Sequence, residues 1–306
     1  MIDFVGKRYW YFLLSAIIII PGIIFLIVFG LKPGSDFKGG TDMTVHFTPN
    51  IEQNQLRQSL TSLGYGDAVI QTTGQGDFIL RLPETTTADK QKLTDGLTAA
   101  TGSNITVRDF ASISATVASE TARYAIIAVI VAALGILLYI TWAFRKMPNP
   151  LRWGICAVIA LMHDILLVAG IFSILGYFAG VEIDALFITG MLTVAGYSVH
   201  DTIVVFDRIR ENLTKGISKN FEQVVNYSIS QTLARSFNTS LTVLFVLLAL
   251  FLLGGSTIHY FTLVLLIGVT TGTYSSVCNA SQLLVVWENK EWGRFIGIKK
   301  STTVKA

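Results

Sequence analysis

Two His-Asp pairs and one arginine lie within otherwise apolar stretches of the chain: His163-Asp164, His200-Asp201 and Arg235. A charge at the centre of a membrane helix costs about 2.5–3.5 kcal/mol on insertion scales, so such groups face a protein interior and find partners there. Asp201 precedes the charged cluster that begins at Asp207, which puts it roughly 9 Å inside the apolar layer at ~1.5 Å per helical residue. Arg235 opens the next apolar run from the same side, and the two are expected to meet at similar depth. An aspartate facing an arginine stays ionised; when the arginine swings away, burial favours the protonated acid. That alternation is the minimum equipment for moving protons. A static clamp between helices would use the same pair, and spacing alone leaves both readings open.

The other polar groups fit supporting parts. Adjacent helical residues point about 100° apart, so His163 and Asp164 are not expected to face one partner. Asp164 suits either a helper role in the charged network or a structural hydrogen bond. His200 is expected to face a neighbour other than that of Asp201. Around Arg235, the run "RSFNTSLT" supplies Asn238, Thr239 and further hydroxyls, which would hold water near the guanidinium or bond backbone carbonyls. Only four histidines occur, and His46 and His259 lie elsewhere, so no metal centre is expected. No Gly-rich phosphate loop and no nucleophile–base spacing is present. The expectation is therefore no cofactor and no enzyme activity.

These residues need membrane helices to position them. The chain has 306 residues, 52% hydrophobic and only 14% charged, against about 25% charged in soluble domains. A spanning helix needs ~20 apolar residues. Six stretches qualify: Tyr9–Gly30, Tyr124–Phe144, Trp153–Phe178, Ile183–Phe206, Leu233–Leu253 and Tyr260–Trp287. The first is too long for a signal-peptide core and is expected to remain as an anchor. Lys7, Arg8, Arg145, Lys146, Arg152, Arg208, Arg210, Lys215, Lys219, Lys290, Arg294, Lys299, Lys300 and Lys305 all fall on one side if both termini are cytoplasmic, as the positive-inside rule requires. The net charge of +3 sets topology and gives no nucleic-acid surface. The partner it implies is the lipid bilayer.

One polar region, residues 31–122, interrupts the pattern and is placed outside the cytoplasm. Met43, Val45 and Phe47 alternate as in a half-buried strand; Leu56, Leu60 and Leu63, then Leu93 and Leu97, mark two amphipathic helices. A Gly-rich turn in "AVIQTTGQGDFILRLP" marks a hairpin, and "NITVRDF" reads as a last strand. The order β-α-β-β-α-β is that of a ferredoxin-like α+β domain. The expected organisation is thus residues 1–30 as N-terminal segment and first span, 31–122 as this domain, 123–287 as a five-helix bundle, and 288–306 as a cytoplasmic tail.

Three motifs carry a resemblance. "GSDFKGGTDM" (34–43) resembles the opening of SecD and SecF proteins, while "GYSVHDTIVVFDRIREN" (196–212) and "ARSFNTSLT" (234–242) resemble the SecF family's signatures. The layout of one span, outer domain and five spans is similar to that family from end to end. The resemblance implies a half-size resistance–nodulation–division architecture paired with SecD beside the SecYEG channel, drawing exported preproteins outward with the proton gradient. It places the family's essential aspartate on Asp201 and its companion arginine on Arg235. His200 stands where the family more often has Asn. A half-size exporter of lipid or small molecules is the first rival, weakened by the small outer domain. An assembly factor with Asp201–Arg235 as a clamp is the second.

Overall fold

The computed structural model describes residues 3–72 and 76–291. The tail residues Arg294, Lys299, Lys300 and Lys305 and the turn at 73–75 lie outside the described residues. Helix α1 (Arg8–Val28) leads through a short α2 (Ser35–Lys38) into β1 (Gly40–Thr48), α3 (Gln53–Ser62), β2 (Val69–Thr72), β3 (Asp77–Leu82), α4 (Thr87–Thr101) and β4 (Asn104–Ile113). Helices α5 (Ala115–Ala143), α6 (Pro150–Ala179), α7 (Ala185–Thr214), α8 (Phe221–Leu253) and α9 (Ser256–Ser275) follow, then a π-helical turn (Ser276–Ala280) and α10 (Ser281–Glu288). Among the described residues six helices are long and apolar enough to cross a bilayer; the last, Thr257–Glu288, runs unbroken through α9, the π turn and α10.

The helices outrun the apolar windows. α8 begins at Phe221 rather than Leu233, because the Asn220 side chain caps it by accepting the Glu222 N–H. α7 continues past Phe206 to Thr214, where Glu211 pairs with Arg208 one turn back and with Lys215 one turn on. Hydropathy reports where the bilayer ends; caps and i,i+4 pairs report where the helix ends.

The small domain is an antiparallel sheet in the order β2-β3-β1-β4. Met43, Val45 and Phe47 of β1 are fully buried against Leu56 and Leu60 of α3, Leu93 and Leu97 of α4, and Phe78 and Leu80 of β3. Met43 lies opposite Leu80 on one side and Phe110 on the other. Gly102 ends α4 in the left-handed region at φ +68, which a side chain would disfavour.

The domain is tied to the loop between α6 and α7. Backbone bonds run from Gly34 N–H to Ile183 O (2.8 Å) and from Ile183 N–H to Lys32 O (2.8 Å). Arg81 pairs with Glu182 and, at 3.5 Å, with Asp42. Asp36 accepts the Ala185 N–H at 2.7 Å. Burial pushes the Asp42 carboxyl above its usual range, against the opposing pull of Ser35 and Arg81; burial likewise raises Asp184, which caps α7.

The opposite end of the bundle is clamped by Arg8. Its guanidinium bonds both oxygens of Glu291 at 2.8 Å and Glu222 at 3.1 Å. Burial opposes ionisation of Glu291, yet hydrogen bonds from Arg8 and Tyr9 hold it below the usual carboxylate range. A carboxylate lowered in the fold contributes stability above its unfolded value of about 4.3 and loses it as pH falls through the folded value. The unfolding midpoint of Glu291→Gln is therefore expected to lie below wild type at neutral pH, with the gap closing in acid. Thermal unfolding in detergent across that range checks it.

Two apolar clusters fill the bundle. One is built on Phe144, Trp153 and Phe206, the other on Phe172, Phe187 and Met191. Close helix approach fixes their spacing. A Cβ on Gly170 of α6 would sit 2.6 Å from the Gly22 Cα of α1, and one on Gly268 of α9 would sit 2.0 Å from Val194 of α7. Gly190 meets Val264 in the same way, whereas a Cβ on Gly196 would meet nothing within 4 Å among the described residues.

Candidate functional site

Where the two apolar clusters meet, a polar layer crosses α6, α7 and α9. Its hub is Asp164, which has no exposed surface. Asp164 Oδ2 accepts from Ser198 Oγ of α7 and from Ser275 Oγ of α9, each at 2.6 Å. Its Oδ1 lies 3.1 Å from Nδ1 of His163. Below the hub, Thr202 and Ser276 share a hydroxyl contact of 2.9 Å, and Thr202 also donates to Ser198 O. Helical period explains the convergence: Ser198 and Thr202 are four apart and share a face of α7. Ser276 opens the π turn, a local widening of the helix often found at functional positions.

Asp201 stands one turn beyond Ser198. It is only 7% exposed, and the polar groups acting on it are Ser236 of α8 and its neighbour His200. Asp201 Oδ2 and Ser236 Oγ are both buried without a hydrogen-bond partner among the described residues. Ser240, one turn along α8, contacts Tyr197 OH at 3.0 Å.

The expected meeting of Asp201 with Arg235 is not present. Arg235 lies on the exposed side of α8 and makes no ion pair among the described residues. Asn238 and Thr239 share that exposed side; Thr239 donates to Arg235 O at 2.9 Å, an ordinary back-bond within the helix. The physical reason is helical phase. Ser236 and Ser240 lie on the buried face of α8, and Arg235 points about 100° away from Ser236. His200 is exposed on α7 and so looks away from the hub. His163 departs from expectation in the other direction: its ring folds back onto its own neighbour, so both residues do serve one site.

Sequence reasoning missed the hydroxyls Ser198, Thr202, Ser275 and Ser276. Serines in apolar helices commonly bond their own preceding carbonyl, which hides them. The signal was the adjacent pair in "YSSVCNAS" (274–281), since two neighbouring serines cannot both face lipid or both face one carbonyl row.

Among the described residues no group of three or more His, Cys, Asp or Glu side chains is placed to hold a metal. What the arrangement can do is hold protons. It offers one enclosed carboxyl with three polar contacts, and a second, Asp201, short of partners.

Comparison with known proteins follows the same lines. Residues 93–290 match the family model described as protein export membrane protein SecD/SecF, C-terminal. The protein translocase subunit SecF of Thermobaculum terrenum is 50% identical over 306 residues, covering 96% of each chain. The protein translocase subunit SecDF of Bacillus subtilis is 34% identical, covering 94% of this chain but 38% of its own length. Among solved structures, SecDF from Thermus thermophilus, described as a translocon-associated membrane protein, superposes with a TM-score of 0.82 at 34% identity. That match covers 94% of this chain and 39% of the longer one.

Proposed function

This chain belongs to the SecD/SecF family of protein-export membrane proteins, with its SecF members, and we propose that it pairs with SecD and uses the proton gradient to draw preproteins out of the SecYEG channel. It is a multi-pass membrane protein and a translocase subunit by that membership. The finer reading puts it in the bacterial inner membrane with both termini in the cytoplasm, and makes residues 31–122 an extracytoplasmic ferredoxin-like domain that moves with the proton cycle.

One observation carries the pairing. Gln231, Arg235, Asn238, Thr239 and Thr242 are all exposed on α8, at spacings that put them on one helical face. Facing acyl chains, the arginine alone would cost about 2.5–3.5 kcal/mol. A partner's helices remove that cost. The relatives named SecDF, whose chains are more than twice as long as the part matched here, fit a second half lying against this one. In the assembled pair, Arg235 meets its counter-charge across the interface, and Asp201 gains and loses the proton. The clamp reading is not favoured, since Asp201 and Arg235 do not hold each other.

The test is cysteine cross-linking. Asn238→Cys, coexpressed with SecD, is expected to form a disulfide with a cysteine scanned along the partner's central spans. A residue at 238 that reacts only with lipid-dissolved thiol reagents, in a chain that purifies without SecD, would overturn the pairing.

A further inference from the structure

Beyond Asp201, the molecule holds a second place built to take a proton, and it joins three helices. We propose that His163 and Asp164 form a proton-binding dyad whose charge state sets how tightly α7 and α9 are held to α6. The inference rests on the proton-driven reading above and adds a positioning site to it.

The geometry is one-sided. His163 Nδ1 faces Asp164 Oδ1 at 3.1 Å, while Nε2 is buried without a hydrogen-bond partner among the described residues. The ring lines a cavity of about 560 Å³ between α1, α6 and α9, whose polar lining includes Ser15, Thr270, Thr271 and Tyr274. Nε2 is thus the dyad nitrogen left to take up a proton, and the ring that carries it borders this groove. The other groups facing the dyad are few. Tyr274 comes from α9 and bonds Tyr11 O of α1, and Asp201 lies one turn along α7 from Ser198.

The proton balance is simple. Uptake at Nε2 turns the imidazole into imidazolium; transfer of the Nδ1 proton to Oδ1 then leaves neutral His163, in the other tautomer, beside a protonated Asp164. No other species is needed. The mechanical consequence follows from hydrogen-bond capacity. As a carboxylate, Asp164 accepts from both Ser198 and Ser275 at 2.6 Å and pins α7 and α9 to α6. Charge-assisted bonds of this length are roughly twice as strong as neutral ones. Once Asp164 is protonated, both bonds weaken, and α7 is released at a point one turn from Asp201.

The test combines export with spectroscopy in the complete SecD-paired complex. His163→Gln keeps a polar group of similar reach. It is expected to copurify with SecD, while gradient-stimulated export falls at least ~10-fold and loses the wild-type dependence on pH. In parallel, the chain's four histidines are labelled with ¹⁵N and followed by solid-state NMR. The His163 signal is expected to switch Nε2 protonation over the same pH range in which export changes. If His163→Gln does not accumulate, substitution of His46, His200 and His259 in turn assigns the His163 signal by elimination, and the wild-type titration decides. Unchanged rate and pH profile in His163→Gln, or a His163 ring that never titrates, overturns the dyad. Asp201→Asn run alongside separates the two claims: if it stops gradient-driven export while His163→Gln does not, only the dyad falls; if it does not, the proton-driven reading falls first.

Discussion

Replacing Asp201 with asparagine is expected to leave the chain folded and paired with SecD but to cut gradient-stimulated export by about 100-fold. The substitution keeps the shape and removes the titration. Because Asp201 makes no ion pair with Arg235 and its Oδ2 has no hydrogen-bond partner among the described residues, little folding energy is lost. Neutralising a buried acid with one oxygen unpaired also removes a desolvation cost. A clamp would behave differently, since breaking a buried pair from one side costs about 3–5 kcal/mol and would deplete the complex itself. Measuring copurification and export on the same membranes tells these apart.

Replacing Asp164 with alanine is expected to do the reverse, acting first on stability. The change strips Ser198 Oγ and Ser275 Oγ of their shared acceptor in a site with no solvent exposure. Ser275 keeps a longer bond to Gly272 O at 3.2 Å, so the stranded hydroxyl is that of Ser198, at a cost of about 1–3 kcal/mol, and the cavity adds to the loss. A total of about 2–5 kcal/mol would lower the unfolding midpoint sharply or prevent accumulation. Asp164→Asn retains an acceptor oxygen and is expected to recover most of that loss. Equal midpoints for wild type and Asp164→Ala in detergent would show that the polar layer does not hold α6, α7 and α9 together.

Much of the architecture was legible because it rests on periodicity. Length and apolarity mark the six spans, and the alternation of Met43, Val45 and Phe47 marks the core strand of the small domain. The helical face of Leu56 and Leu60 is equally plain. What periodicity does not report is the phase of a polar residue on an apolar helix. Arg235 and Ser236 differ by one position, yet one faces outward and the other faces Asp201. Depth along the membrane can be counted from the sequence, and it placed Asp201 and Arg235 together. Rotation about the helix axis is set by which neighbours pack, and it separated them. The hub at Asp164 was hidden for a related reason. Its partners are serines from helices far apart in the chain, and a serine carries no sign of whether its hydroxyl bonds its own backbone or reaches a neighbour. The polar face of α8 is the converse case. On the proposed pairing with SecD, its meaning lies in the partner chain.

The most direct measurement is proton flux through the SecD-paired complex in sealed vesicles, with a pH dye inside and a preprotein in transit. Flux that accompanies export in wild type and vanishes with Asp201→Asn is the predicted result. Equal flux, or equal gradient-driven export, with and without that carboxyl would contradict the account.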